Sequence, residues 1–238
     1  MSEGHAGFVL PLLRPGMWVL DVGCGAAVNT LSIGTAAHPI HVLGFDRDAG
    51  SVVAAHRAAR HAAVRTVDFA VALARALPLP SGCADVVFAH GLLADEPDQA
   101  AVLTEFSRVL RPGGTLALST PDWSRVRLRP HTANVDAALR GWQLLRRRAG
   151  ADPYAGRRVD DRVRRAGFRE VRSRTRHLAD YDYRQLARDV EAELAGAVRT
   201  DDGIVDQQLA SAARSAWMWV RGGPGDVSRC WVETLAVR

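Results

Sequence analysis

Short apolar runs alternate with amphipathic stretches through the first 120 residues, the pattern of strands alternating with helices. Trp18-Val19-Leu20-Asp21-Val22 is an apolar run that follows Arg14-Pro15-Gly16 and ends at a glycine-rich turn. Residues 28–36 read as the next helix, 40–45 as a second buried strand and 48–62 as an alanine-rich helix. A weaker third strand covers 64–69 and a fourth covers 85–89. Residues 99–110 set Ala100, Leu103, Phe106, Val109 and Leu110 at helical spacing, and 115–118, entered through Pro112-Gly113-Gly114, form a fifth strand. Strands separated by helices predict a parallel sheet covered on both faces. Leu-Arg-Pro-Gly stands at both 13–16 and 110–113, where it is reused helix-stop chemistry and not an internal repeat.

After Pro121 the pattern changes. Residues 134–148 are amphipathic, with Val135, Ala138, Leu139, Trp142 and Leu145 on one face. A helix over 159–166 stops at Gly167, a strand follows over 168–174, helices cover 183–198 and 205–220, and 230–237 is a closing strand. The long helices flanking 168–174 cannot all cover a sheet whose faces are taken, so they are expected to build a cap above the C-terminal ends of the strands. The expected organisation is a core over 1–120, a helical cap over 121–224 with one sheet strand near 168–174, and a closing strand within 225–238.

Composition narrows the class. The 238 residues are 47% hydrophobic and 24% charged, ordinary values for a globular chain. No run approaches the roughly 18 apolar residues that span a bilayer. The first sixteen residues lack the basic end, apolar middle and cleavage site of a secretory signal, so a cytoplasmic protein is expected. Every one of the 31 basic residues is arginine, and the net charge is +5. Residues 1–120 hold 8 arginines against 10 acids, whereas 121–238 hold 23 against 16. Such asymmetry can mark a nucleic-acid surface. A GC-rich genome also makes chains rich in alanine and arginine, and it explains the missing lysines, which nucleic-acid binding does not. Cys24, Cys83 and Cys230 are odd in number and far apart, which gives no disulfide framework. No His/Cys cluster has ligand spacing, so no metal is expected.

The sharpest signal is Val19-Leu20-Asp21-Val22-Gly23-Cys24-Gly25, a strand running into a glycine turn and then a helix. Glycine permits positive φ and close approach of a ligand to the backbone, and a helix N-terminus offers free N–H groups. The second strand ends in Gly44-Phe45-Asp46, 25 residues beyond Asp21, where an acid can accept from a ribose diol. A dinucleotide fingerprint would need glycine or alanine at 28, where Val28 stands.

Asp21-x-Gly23-x-Gly25 with Asp46 resembles the class I S-adenosylmethionine-dependent methyltransferases. Residues 84–90, Ala-Asp-Val-Val-Phe-Ala-His, and 108–114, Arg-Val-Leu-Arg-Pro-Gly-Gly, look like the fourth- and fifth-strand motifs of that superfamily. Pro121-Asp122-Trp123 and the C-terminal helices look like its UbiE/COQ5-like small-molecule members. The resemblance is strong over 13–123 and looser after. It implies a Rossmann-like three-layer α/β sandwich with a seven-stranded, mostly parallel sheet, an antiparallel last strand and a helical cap. It also implies S-adenosylmethionine over the C-terminal edge. Gly23 and Gly25 would face the methionine end, with Asp21, Cys24 and Ala27 in the same turn. Asp46 would hold the ribose and Arg47 flank the adenine, with Ala72 and Leu73 matching the pair that meets the adenine amino group.

Methyl transfer from a sulfonium is an in-line displacement, for which a protein supplies alignment and exclusion of water. A hydroxyl acceptor also benefits from a base, while an activated carbon or neutral amine needs less help. His90, ending the fourth strand, is the candidate catalytic residue; ordering the loop or packing on the cofactor is its other role. Asp122, Trp123, His131 and Trp142 are candidate acceptor-binding residues, and cap core is the alternative for Trp142, Trp217 and Trp219. His38, His41, His56 and His61 are expected at the surface.

Four departures stand out. The third glycine of the turn falls on Ala27. Leu73 cannot accept a hydrogen bond, which leaves the adenine contact to backbone or to Asp68. Leu93-Ala94-Asp95 stands where relatives often show Leu-Glu-His. Only some sixteen residues precede the first strand, where relatives usually carry extra helices that close over the cofactor. The lid is therefore absent, supplied by the cap or a second subunit, or encoded further upstream. Three functions stay open: methylation of a small aromatic or specialised-metabolite hydroxyl, carbon or amine; isomerisation, cyclisation or elimination on the same scaffold; and a silent binding subunit. The expected partner is a small-molecule acceptor, with no nucleic acid, no membrane span and a homodimer left open.

Overall fold

A computed structural model describes residues 5–36, 40–179, 181–199 and 203–238, so His38 lies outside the described residues. In chain order the elements are β1 (Trp18–Val22), α1 (Val28–Gly34), β2 (His41–Asp46), α2 (Ala49–His61), β3 (Val67–Val71), β4 (Ala84–His90), α3 (Leu92–Asp95), α4 (Gln99–Val109) and β5 (Leu110–Pro121). They continue with β6 (Arg127–Arg129), α5 (Ala133–Arg148), α6 (Val159–Arg165), β7 (Arg169–Leu178), α7 (Tyr183–Gly196), α8 (Gln207–Val220) and β8 (Asp226–Val237).

The sheet runs β3-β2-β1-β4-β5-β8-β6, with β7 also paired to β8. β1, β2, β3, β4 and β5 pair in parallel, and β6 meets β8 antiparallel. The sheet therefore has eight strands where the sequence predicts seven. The added one is β6, three residues in which Leu128 is buried between exposed Arg127 and Arg129. Three residues carry too short an alternation to read, and only their pairing with Asp226–Ser228 makes them a strand.

Two compact units divide the chain: residues 1–120, 155–175 and 232–238 form the first, and 121–154 with 176–231 the second. In the first unit β4 is buried at every position but its last, which is why it reads as an unbroken apolar run. Its side chains still alternate between faces. Val87 and Ala89 join Leu20, Leu116 and Leu118 beneath Leu103 and Phe106 of α4 and Val159 and Val163 of α6. Val86 and Phe88 join Val19, Val42 and Ala117 beneath Ile33 of α1 and a segment contributing Ala6, Phe8, Val9 and Leu13. The residues ahead of β1 are thus part of the core, with the rings of Phe8 and Phe88 centred 6.1 Å apart.

Polar caps set the helix boundaries. Asp48 accepts from Ser51 N–H at 2.7 Å and Asp98 from Ala101 N–H at 2.9 Å, so each aspartate stands just outside its helix. Glu105 and Arg108 of α4 pin the segment after β3. Glu105 accepts from Leu77 N–H at 2.6 Å, and Arg108 donates to Leu79 O at 2.9 Å and Leu77 O at 3.2 Å.

In the second unit α5, α7 and α8 bury Val135, Leu139, Leu186, Val190, Leu194 and Leu209 against one another, and Leu128 joins them from β6. Gly141 stands where α5 meets α8: a Cβ there would overlap the Ala212 Cβ. Trp142 is a member of this core. Its indole N–H donates to Glu193 at 3.0 Å and its ring meets Trp123 edge-on at 4.7 Å. Among the described residues no helix is long and apolar enough to cross a membrane, and no group of three metal-ligating side chains forms.

Candidate active site

The turn after β1 owes its shape to backbone that side chains resist. Gly23 has φ +80° and Gly25 φ +50°. A Cβ on Gly23 would lie 3.1 Å from Leu92 Cδ1, so only glycine keeps that approach open. The Gly23 and Cys24 N–H groups both donate to Phe45 O, at 2.7 and 3.0 Å, which ties the turn to the end of β2. Ala27 is also left-handed, at φ +69°. Alanine there carries about 1–2 kcal/mol of strain that glycine would avoid.

Asp46 closes the second strand with both carboxylate oxygens engaged. Oδ2 accepts from Gly25 N–H at 2.9 Å and Oδ1 from Asp48 N–H at 2.9 Å. Each oxygen keeps a lone pair for a further donor. Beneath the turn, Asp21 is buried and accepts from Thr30 Oγ1 at 2.6 Å. Burial pushes its carboxyl up to about 7; the Thr30 hydrogen bond opposes this and the Asp46 charge adds to it. The Cys24 side chain packs with Ala27, Val52, Ala55 and Phe69. Burial, then the Asp21 and Asp46 charges, push that thiol to about 12, which removes it as a nucleophile.

A half-open cleft of about 250 Å³ lies along this edge, lined by Val22, Gly23, Phe45, Asp46, Arg47, Ala72, Ala74, His90, Gly91, Leu92, Asp95 and Glu96. Of the residues the sequence nominates, Gly23, Asp46, Arg47, Ala72 and His90 meet there. Asp21, Cys24, Gly25 and Ala27 shape the turn from behind and are not part of the lining. Leu73 departs from its expected position: it is 46% exposed, bridges to Ala76 and does not line the cleft. Asp68 is absent from the lining too. His90 stacks on His5, ring centroids 4.0 Å apart.

Sequence reasoning missed Asp95, Glu96 and His5. The two acids end and follow a helix of four residues that carries no periodic signal; their one trace is the departure at Leu93-Ala94-Asp95. His5 is an isolated histidine with no motif around it. Burial raises the Glu96 carboxyl above its ordinary value, the Arg47 and Arg75 charges oppose that, and Asp95 adds to it.

The acceptor-side candidates belong to the second unit. Asp122 is buried and caps a single 3-10 turn, accepting from Ser124 N–H at 3.0 Å and from Ser124 Oγ at 2.5 Å. Trp123 is half-buried and lines a small hollow with Val126, Arg229 and Cys230. His131 pairs with Asp136 at 2.9 Å on the surface. Trp142 is held in the helical core, the alternative the sequence leaves open. His41 and His61 are exposed, and His56 is half-buried edge-on to Phe69.

Residues 13–152 match the family model described as a methyltransferase domain. The chain is 32% identical over 165 residues to trans-aconitate 2-methyltransferase of Methylobacterium nodulans, covering 68% of this chain and 56% of that one. It is 33% identical over 168 residues to 27-O-demethylrifamycin SV methyltransferase of Amycolatopsis mediterranei, covering 66% and 61%. It thus spans less than two thirds of the length of these relatives. The YcgJ protein of Bacillus subtilis superposes with a TM-score of 0.67 over 98% of this chain and 97% of that one. Identity there is 16%, so this likeness speaks to the fold alone.

Proposed function

This chain belongs to the methyltransferase domain family, within the class I S-adenosylmethionine-dependent superfamily, and from that premise we propose that it methylates a small molecule at a hydroxyl, carbon or amine. One observation carries the proposal. Gly23, Asp46, Arg47, Ala72 and His90 come from the ends of β1, β2, β3 and β4 and line one cleft. The cleft fits the cofactor: a wall without a side chain at Gly23, then a carboxylate with free lone pairs.

When bound, S-adenosylmethionine supplies a methyl group already activated on a sulfonium. The chain's own residues do the rest. Gly23 admits the methionine end to the backbone. Asp46 accepts from the ribose hydroxyls, and Arg47 flanks the base. His90 takes the proton of a hydroxyl acceptor through its imidazole, or orients an acceptor that needs no base.

A small-molecule acceptor is supported by the names of the two relatives, a trans-aconitate methyltransferase and a demethylrifamycin methyltransferase, and the second of these supports a specialised metabolite. Asp122, His131 and Trp142 already serve as cap, surface pair and core, so Trp123, half-buried beside a small hollow, is the acceptor-binding candidate we retain. Free thiols at Cys24, Cys83 and Cys230 support a reducing, cytoplasmic setting.

Calorimetric titration with S-adenosylmethionine and S-adenosylhomocysteine tests the reading. Both should bind, and Asp46→Ala should weaken them about 100-fold. The variant's thermal unfolding separates lost affinity from lost folding. No heat from the parent protein at millimolar cofactor overturns the proposal, and unchanged affinity in Asp46→Ala moves the ribose elsewhere.

A further inference from the structure

We infer that Glu96 is the acceptor for the adenine amino group, a positioning and specificity role that rests on the cofactor reading above. Adenine carries an exocyclic amino group with two N–H donors, and enclosing a donor without an acceptor is costly. With the ribose on Asp46, the wall that continues away from β1 is made by Arg47, Ala72, Ala74, Asp95 and Glu96. Arg47 has only donors. Ala72 and Ala74 present methyl groups, and the Ala72 N–H already donates to Asp46 O at 2.9 Å. Leu73, where the sequence places the amino partner, lies outside the cleft.

Among the side chains of that wall, this leaves the two carboxylates. Asp95 is exposed, whereas Glu96 is half-buried. α3 stops at Asp95, and Glu96 turns extended at φ −98° and ψ 120°, redirecting the chain after four helical residues. Burial raises the Glu96 carboxyl, the Arg47 and Arg75 charges oppose that, and the Asp95 charge adds to it. A partly desolvated carboxyl of this kind gains most from a neutral N–H donor that enters beside it. The acid missing at position 73 is thereby replaced by one from the segment that follows α3.

The test compares two ligands that differ at one group. S-adenosylhomocysteine carries a 6-amino group, and S-inosylhomocysteine carries a 6-oxo group in its place. The parent protein should prefer the adenosyl ligand about 10- to 100-fold. Glu96→Ala should bring the two affinities within about twofold of each other, by weakening the adenosyl ligand alone. Glu96→Gln keeps an acceptor and adds an N–H that the 6-oxo group can take, so its preference should shift toward the inosyl ligand. Equal weakening of both ligands in Glu96→Ala would make Glu96 a counter-charge for Arg47 and overturn the inference. An unchanged ratio would overturn it as well. If the parent protein binds neither ligand, the cofactor reading falls and takes this one with it. Normal parent affinity with an unmoved ratio removes this inference alone.

Discussion

At the scale of single residues, Asp21 is a group whose protonation responds strongly to folding. Its carboxyl lies at about 7 in the folded protein against 3.8 for a free side chain. Between those values the folded state keeps a proton that the unfolded chain has released. Asp21 therefore makes stability fall as pH rises from about 4 to about 7, and adds no slope outside that window. Asp21→Asn keeps an acceptor for Thr30 and removes the buried charge. Chemical denaturation from pH 4.5 to 8 should show the variant losing less stability than the parent, by about 3 kcal/mol across the range. Parallel curves would mean that Asp21 is solvated in the folded state. The residues legible from sequence were those that backbone geometry dictates: Gly23 and Gly25 where φ is positive, and Asp46 at a strand end. Glu96 and His5 escaped because a side chain reaching a cleft from a short helix or an isolated position leaves no spacing to read. Leu73 misled because the match to the family's pair is a register, and the chain turns it outward.

At the scale of elements, the long helices and buried strands were legible from periodicity, with ends displaced by a few residues where polar caps stand outside the helix. The short pieces β6 and α3 were not, because three or four residues show no period. Helix packing supplies a prediction that propensity alone would get backwards. Gly141→Ala should gain about 1 kcal/mol of helix propensity. The new methyl group would overlap Ala212 across the α5–α8 contact, and such overpacking costs about 1–3 kcal/mol or more where backbones cannot part. A net loss of stability is expected in thermal unfolding. Adding Ala212→Gly should recover part of it, which a purely intrahelical effect of Gly141→Ala would not allow.

At the scale of the molecule, two cores divide the labour of stability. The cofactor cleft is lined wholly by residues between 22 and 96, while Leu194, fully buried, belongs to the helical core of the second unit. Leu194→Ala should lower the free energy of unfolding by about 2–5 kcal/mol, and leave the affinity of the folded protein for S-adenosylhomocysteine within about twofold, since the helical core and the cleft lining share no residue. A collapse of affinity in a variant that remains folded would show that the cleft depends on the helical core. The arginine excess of residues 121–238 also reads differently with partners in view. Arg148 pairs with Asp206 at 2.5 Å, Arg174 with Glu233 at 2.6 Å and Arg146 with Glu193 at 3.6 Å. Exposed pairs of this kind contribute little stability each, and they tie three of the 23 arginines to acids while the half keeps its excess of 23 over 16.

The two backbone hydrogen bonds on Asp46 bear on how a ligand is received. They hold the carboxylate in one rotamer before anything enters the cleft. Ordering a rotamer-rich side chain at a binding site costs about 0.5–1.5 kcal/mol. Here folding has already met that cost, and the glycine turn and the end of β2 are ordered with it. At this position a ligand meets a fixed acceptor from which water must be stripped, and the side chain has no rotamers left to lose. The proposed ribose anchor is in this sense preorganised, and the entropy lost there is the ligand's.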